Sequence, residues 1–483
     1  MNVTNQQKNQ HLLWRAGFGP MTEEIGQLGS ASQKSYVDAL FKASSKQPTY
    51  IDVADNGLKG LTMGLGDAKK QLSPEERKQI QRQSREDLKN LNITWLGYMV
   101  NSDQQLREKM SLFWHGHFAS RNINILYQQQ LLDVIRKNAL GNFGDLLREV
   151  SRSAAMINFL NNNQNRKGHP NENFAREVME LFTLGRGNYT ENDVKESARA
   201  FTGWGATISG EFVFRKFQHD EGTKTVLGKS GSFTGDEILG ILLEKKQTAR
   251  FISNKIYRYF VNEQVDEEKI SWLSERFYQS NYNIQLLMKD IFSSDWFYDK
   301  KNIGVRIKSP VELIAGIRRA LPMQIENEEI QLILQRLLGQ ILFYPPNVAG
   351  WPGGTNWIDS SSLMLRLRLP QMIVESQELK MDPKDDDDQM MGMKDQSTGK
   401  NKTQNRGMGT QVIRATIDWK QYLQKFEKIP REKLTTEMAN TILQNAGSMN
   451  SSVIEKYADD SSREIFIKTM TIQLMSTPEY QMC

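Results

Sequence analysis

The sequence predicts a mainly α-helical protein: a large multi-helix domain with a short β-hairpin or extended arm near residues 205–228, and long loops. Three observations predict it. Capped segments with apolar residues three and four apart recur along most of the chain. Two-residue alternation appears only after Trp204, at Phe212 and Phe214 with Phe217 beyond. Glycine- and proline-rich stretches, above all Pro345–Gly354, interrupt the helices.

From the N-terminus, RAGFGP (15–20) sets a turn and Ala31–Ala43 has helical character. Residues 51–72 lack a period and read as a loop. Ser73-Pro74-Glu75-Glu76 places an N-cap, a proline at the first helical position and acid in the first turn, so a helix starts there and becomes amphipathic through Leu91, Trp95 and Met99. Gln105–Phe118 is helical up to WHGHF. His115 and His117 share one face only if the helix has ended or frayed at Gly116, because residues two apart in a helix point about 200° from each other. Leu131–Leu147 and Ser151–Leu160 read as buried helices, closed by the polar run Asn161–Asn165.

The densest chemistry lies in HPNENFAREVMELFTLGRGNYTENDVKESARAFTGW, residues 169–204. On a helix over Asn171–Leu184, Phe174, Val178, Leu181 and Phe182 form one face; Glu172, Asn173, Arg176, Glu177 and Glu180 form the other. Asn171 is the expected N-cap, Gly185 the left-handed residue at the end, and Thr190 with Asp193 a capping box. Glu172, Arg176 and Glu180 could equally be a solvated charge ladder. Against pure solvation stand the crowded asparagines, the three-residue spacing of Glu177 and Glu180, and the cations Arg176, Arg186 and Arg199. His219-Asp220 follows on a turn.

Further on, Ala249–Asn262, Glu268–Ser280 and Ile284–Phe297 are helical, with Tyr257, Phe260, Trp272, Phe277 and Trp296 assigned to the core. Pro310 opens another helix. The loop Pro345–Gly354 either lines a cleft with Trp351 or plugs the core with Trp351 and Trp357. Three parts are expected: a main helical domain over 1–375, a disordered low-complexity insertion over 380–409, and C-terminal helices over 410–483 that pack back on the main domain.

Composition narrows the function. Sixty-two basic residues against 57 acidic ones give a net charge of +5, which carries no clustered nucleic-acid footprint. The one cysteine, Cys483, allows neither an intrachain disulfide nor a cysteine metal site. No apolar run reaches transmembrane length and the N-terminus lacks a signal-like core, so the expected location is the cytoplasm by default.

FWHGHFAS, the 169–204 stretch, HDEGTKTVLG, RIKSPVEL and PPNVAGWPGGTNWIDSSSLMLRLRL together resemble the bacterial domain-of-unknown-function-1800 family, in order from HLLWRAGFGP to MSTPEYQ. The resemblance implies that His115, His117, Asn171, Glu172, Asn173, Arg176, Glu177, Glu180, Gly185, His219 and Asp220 stand at signature positions. Many members of that family carry a histidine where this chain has Phe182. Members are often predicted to be exported and encoded beside a hydrolase-like family.

Two principal readings follow. In the first, a metal-dependent hydrolase or oxidase holds Zn, Fe or Mn through His115, His117, Glu177 and His219. Glu177, Glu180, Asp220 and Arg176 are its candidate catalytic groups, and Asn171, Asn173, Trp204 and Trp351 its substrate contacts. In the second, a metal-free protein binds a carbohydrate, peptide or protein partner in a groove lined by Asn, Arg and Trp. A network that only locks helices together is the third alternative.

Overall fold

Capping signals written in the sequence start many of the helices. Side-chain and backbone groups close reciprocal boxes at Thr4/Gln7, Ser73/Glu76, Thr190/Asp193, Thr234/Glu237 and Ser309/Glu312. The computed structural model describes residues 3–55, 73–379, 411–448 and 451–483. Helices dominate these, and the strands among them form four two-stranded antiparallel pairs. The protein is mainly α, as its periodicity predicts. The 380–409 stretch, and most of the loop expected at 51–72, lie outside the described residues.

One helix, Gln105–His117, organises the interior. It is buried on nearly every side, with Leu106, Met110, Phe113 and Trp114 in one apolar core and Leu112 in a second. The first core gathers the N-terminal helices and those between residues 125 and 292. The second gathers Pro74–Asn101, Pro310–Ala320, Ile330–Leu337 and the helices after residue 411. The charges on this central helix are therefore buried and satisfied, Arg107 by backbone carbonyls and the other two by ion pairs. Glu108 accepts from Arg136 Nε at 3.1 Å and from Trp95 Nε1 at 2.9 Å, while Lys109 pairs with Glu312. Losing one partner of such a pair leaves a bare charge in the core.

The expected arm is two hairpins. Trp204–Ala206 pairs with Phe212–Phe214, and Lys224–Val226 with Lys229–Gly231. Elsewhere the chain departs from its periodicity in three places. The expected helix Leu131–Leu147 is two helices, Ile125–Asn138 and Phe143–Arg152, because Asn142 Oδ1 accepts from the Gly144 and Asp145 amides and caps a new start. The helix from Ile284 stops at Phe292, and a 3₁₀ turn carries Asp295–Tyr298. Trp272, assigned to the core, is 41 % exposed and lies against the Arg276 guanidinium, 5.3 Å from ring centre to cation.

Candidate functional site

The helix Gln105–His117 does not end at Gly116. The Phe118 amide still donates to the Trp114 carbonyl at 2.8 Å, so His115 and His117 point to opposite sides. His115 faces the second core, edge-on to Trp95 and beside Phe343 and Trp351. Its Nε2 accepts from the Phe343 amide at 3.1 Å, which satisfies a backbone group held at a positive φ of 69°. Burial pushes its pKa down to about 3, so the ring is neutral.

His117 turns toward the 169–204 motif. That segment is helical from Asn173 to Glu177 and widens into a π-helix over Val178–Thr183. Its last carbonyls lack helical partners, and His117 from an earlier helix and Lys255 from a later one supply them. His117 Nε2 lies 3.3 Å from the Phe182 carbonyl, an acceptor, and so carries the proton. Lys255 Nζ donates to the Leu181 carbonyl at 3.3 Å and to His117 Nδ1 at 3.2 Å. Burial, then the Lys255 charge, hold the His117 pKa well below its ordinary value. Both nitrogens of His117 are thereby engaged in capping a helix end.

The other candidates fall into separate groups. His219 lies on the first hairpin's exit, with Nδ1 2.9 Å from the Thr202 carbonyl and Phe214 edge-on. Asp220 accepts from Arg199 Nε at 2.8 Å, and that guanidinium holds its carboxyl below the usual range. Arg176 is spent on Glu191, at 2.7 and 2.8 Å, and on Glu172 at 3.2 Å. Asn171 Oδ1 accepts from the Asn173 amide, and Asn173 Nδ2 donates to the Leu160 carbonyl, so both asparagines shape the turn into the helix. The helix starts at Asn173 with Glu172 at its N-cap, one residue after the expected cap. Trp204 is buried among Phe174, Phe201 and Phe212.

Glu177 and Glu180 are brought together. Glu180 accepts from the Tyr189 hydroxyl, and Glu177 is half-buried with its pKa raised by burial and then by the Glu180 charge. The expected metal set of His115, His117, Glu177 and His219 is not assembled. Among the described residues no group of three or more His, Cys, Asp or Glu side chains is placed to hold an ion. These donors do not fit one metal centre.

The space beside the central helix holds a different constellation. A cleft of about 500 Å³ opens between the end of that helix, the helix Lys246–Phe260 and the loop around Trp351. The second helix presents Lys255, Arg258 and Tyr259, at positions i, i+3 and i+4, to the cleft. The loop forms the roof and is pinned twice. Gly350, at φ 82°, rests on the Gly116 carbonyl, and Gly354, at φ 64°, on the Glu263 carboxylate; a Cβ at either would collide with its neighbour. Trp351 is left partly exposed over the cleft while Trp357 is buried.

Beneath lies a buried charge network. Glu312 pairs with both Lys109 and Arg306. Burial pushes its carboxyl up, but Arg306 and Lys109 outweigh this and hold it well below the ordinary range. Arg306 stacks on the Tyr259 ring at 4.8 Å. Lys255, in an apolar wall with Phe251 4.9 Å away, has its pKa lowered by burial to about 8.

Sequence reasoning found Trp351 and His117 but missed Lys255, Arg258, Tyr259 and Arg306. A signal existed on the Lys246–Phe260 helix, where the face opposite Tyr257 and Phe260 carries two cations and a phenol at helical spacing.

Fold and site together define a mainly helical protein with a charged, tryptophan-roofed cleft of small-molecule size. The chain belongs to the protein family of unknown function DUF1800, whose model matches residues 11–482. No curated protein and no solved structure matches it.

Proposed function

We propose that the protein binds a polar small molecule of carbohydrate class in the Trp351 cleft, without a metal ion as mediator. The observation that carries this reading is the build of the cleft. A partly exposed indole is held over polar and cationic side chains by two glycine contacts, in a volume of about 500 Å³ that suits a small ligand. An aromatic face of this kind stacks on the apolar face of a sugar ring, while Arg258 and Asn356 at the rim offer hydrogen bonds to hydroxyls. The 169–204 motif supports the cleft from behind, since Lys255 and His117 both line the cleft and cap the π-helix.

The test is calorimetric titration of the full chain with glucose, N-acetylglucosamine and cellobiose, alongside the Trp351→Ala variant. Saturable binding weakened at least about tenfold by the substitution, or ~1.4 kcal/mol, is expected. Absence of binding across the panel, or affinity indifferent to Trp351, would refute the reading.

A second reading is favoured by Glu177. Burial and then the Glu180 charge raise its pKa, with Arg176 opposing them, which suits a general acid. Turnover of a glycoside lost in Glu177→Gln, with ligand affinity kept, would support it.

A further inference from the structure

Resting on the cleft as the binding site, we infer that its floor seats a phosphoryl group on Tyr259 Oη and the Arg306 guanidinium, so that the ligand is a phosphorylated one.

The Tyr259 hydroxyl and Arg306 Nε are both buried, and neither has a hydrogen-bond partner among the described residues. Arg306 is 6 % exposed, and both residues line the cleft. Buried donors are left unsatisfied at a cost, so a pair of them in one corner points to an acceptor that arrives from outside the chain. The two belong to one corner because the guanidinium lies on the phenol ring. Burial keeps that phenol protonated and hence a donor.

Two more donors converge from the same helix. Lys255 directs N–H groups to His117 and to the Leu181 carbonyl, which leaves the third N–H of an ammonium without a partner among the described residues. Arg258 is exposed at the rim and makes no ion pair among the described residues.

Charge then selects the class of anion. Among the described residues, Lys255, Arg258 and Arg306 line the cleft against the carboxylate of Glu263, while beneath it Glu312 is shared by Lys109 and Arg306 and a negative charge at Cys483 also acts on Arg306. The positive excess on the lining itself suits a phosphate monoester, which carries roughly −1.5 to −2 at neutral pH, better than a monocarboxylate. A tetrahedral head also has enough oxygens to engage phenol, guanidinium and ammonium together.

The experiment measures melting of the full chain in inorganic phosphate, in acetate and in chloride at matched ionic strength. It is paired with titrations of glucose 6-phosphate and glucose. Phosphate, and not acetate, should raise Tm, and glucose 6-phosphate should bind at least roughly tenfold tighter than glucose. Tyr259→Phe removes only the hydroxyl. It should melt no lower than the parent without phosphate, yet lose the phosphate-dependent rise. Arg258→Gln should weaken the sugar phosphate by a clearly larger factor than it weakens glucose. A parent whose Tm ignores phosphate, an equal rise in acetate, or a phosphate response kept in both variants would each overturn the inference. Glucose binding that depends on Trp351 with no phosphate effect would leave the cleft reading standing and remove this one alone.

Discussion

A histidine flanked by Trp95, Phe343 and Trp351 behaves as an aromatic core residue with one polar edge. His115→Phe keeps that packing and removes the acceptor of the Phe343 amide. We expect a loss of about 1–3 kcal/mol in urea unfolding, with cleft binding unchanged. Glu312 is bound more tightly into the fold. Because Arg306 and Lys109 stay buried when it is neutralised, Glu312→Gln should cost about 3–5 kcal/mol, read from the same unfolding curves. Its pH dependence has a definite sign. The folded pKa lies below the unfolded 4.5, so its stabilisation is complete above that value and is lost as pH falls below it. Lys255 acts on binding instead. It is charged below about pH 8 and neutral above, so affinity for an anionic ligand should fall between pH 7 and 9. Arg306 stays charged through this window, because neighbouring negative charges outweigh its burial and raise its pKa. A flat profile over that range would separate Lys255 from the ligand.

At the scale of elements, the roof loop and the motif helix are each fixed by contacts that their own residues do not reveal. The loop rests on the central helix through Gly350, whose φ of 82° and contact with the Gly116 carbonyl exclude a side chain. Gly350→Ala should therefore cost more than about 1 kcal/mol and displace Trp351, so weaker ligand binding and a lower Tm are expected together. Retained affinity would show that the roof is not part of the site. The motif segment was legible at its exit, where Gly185 stands at φ 79°, and in the Thr190–Asp193 box that opens the following helix, while its start fell one residue past the expected cap. Its middle was not legible. A 3.6-residue period cannot signal the π-helix at Val178–Thr183, whose exit carbonyls depend on His117 and Lys255. The histidine pair was misleading for a related reason. Glycine weakens a helix, yet burial of the surrounding Phe113, Trp114 and Phe118 carries this one through Gly116.

For the whole molecule, both cores meet on one buried helix, and the chain returns to the second of them after residue 411. Glu378–Leu379 and Gln411–Val412 pair antiparallel, which sets the two ends of the intervening segment side by side. Excising residues 385–406 should therefore leave Tm within a few degrees of the parent; insoluble protein would count against it. No helix among the described residues is long and apolar enough to cross a membrane. Helix content, caps, hairpin position and family membership were decided by the sequence itself, because propensity, capping and periodicity act over neighbours within a few residues. Which side of the central helix each histidine faces was decided only by tertiary packing, as was the meeting of Lys255, Tyr259 and Arg306 in one cleft. Those contacts join residues dozens of positions apart, and burial sets them where no local pattern records it.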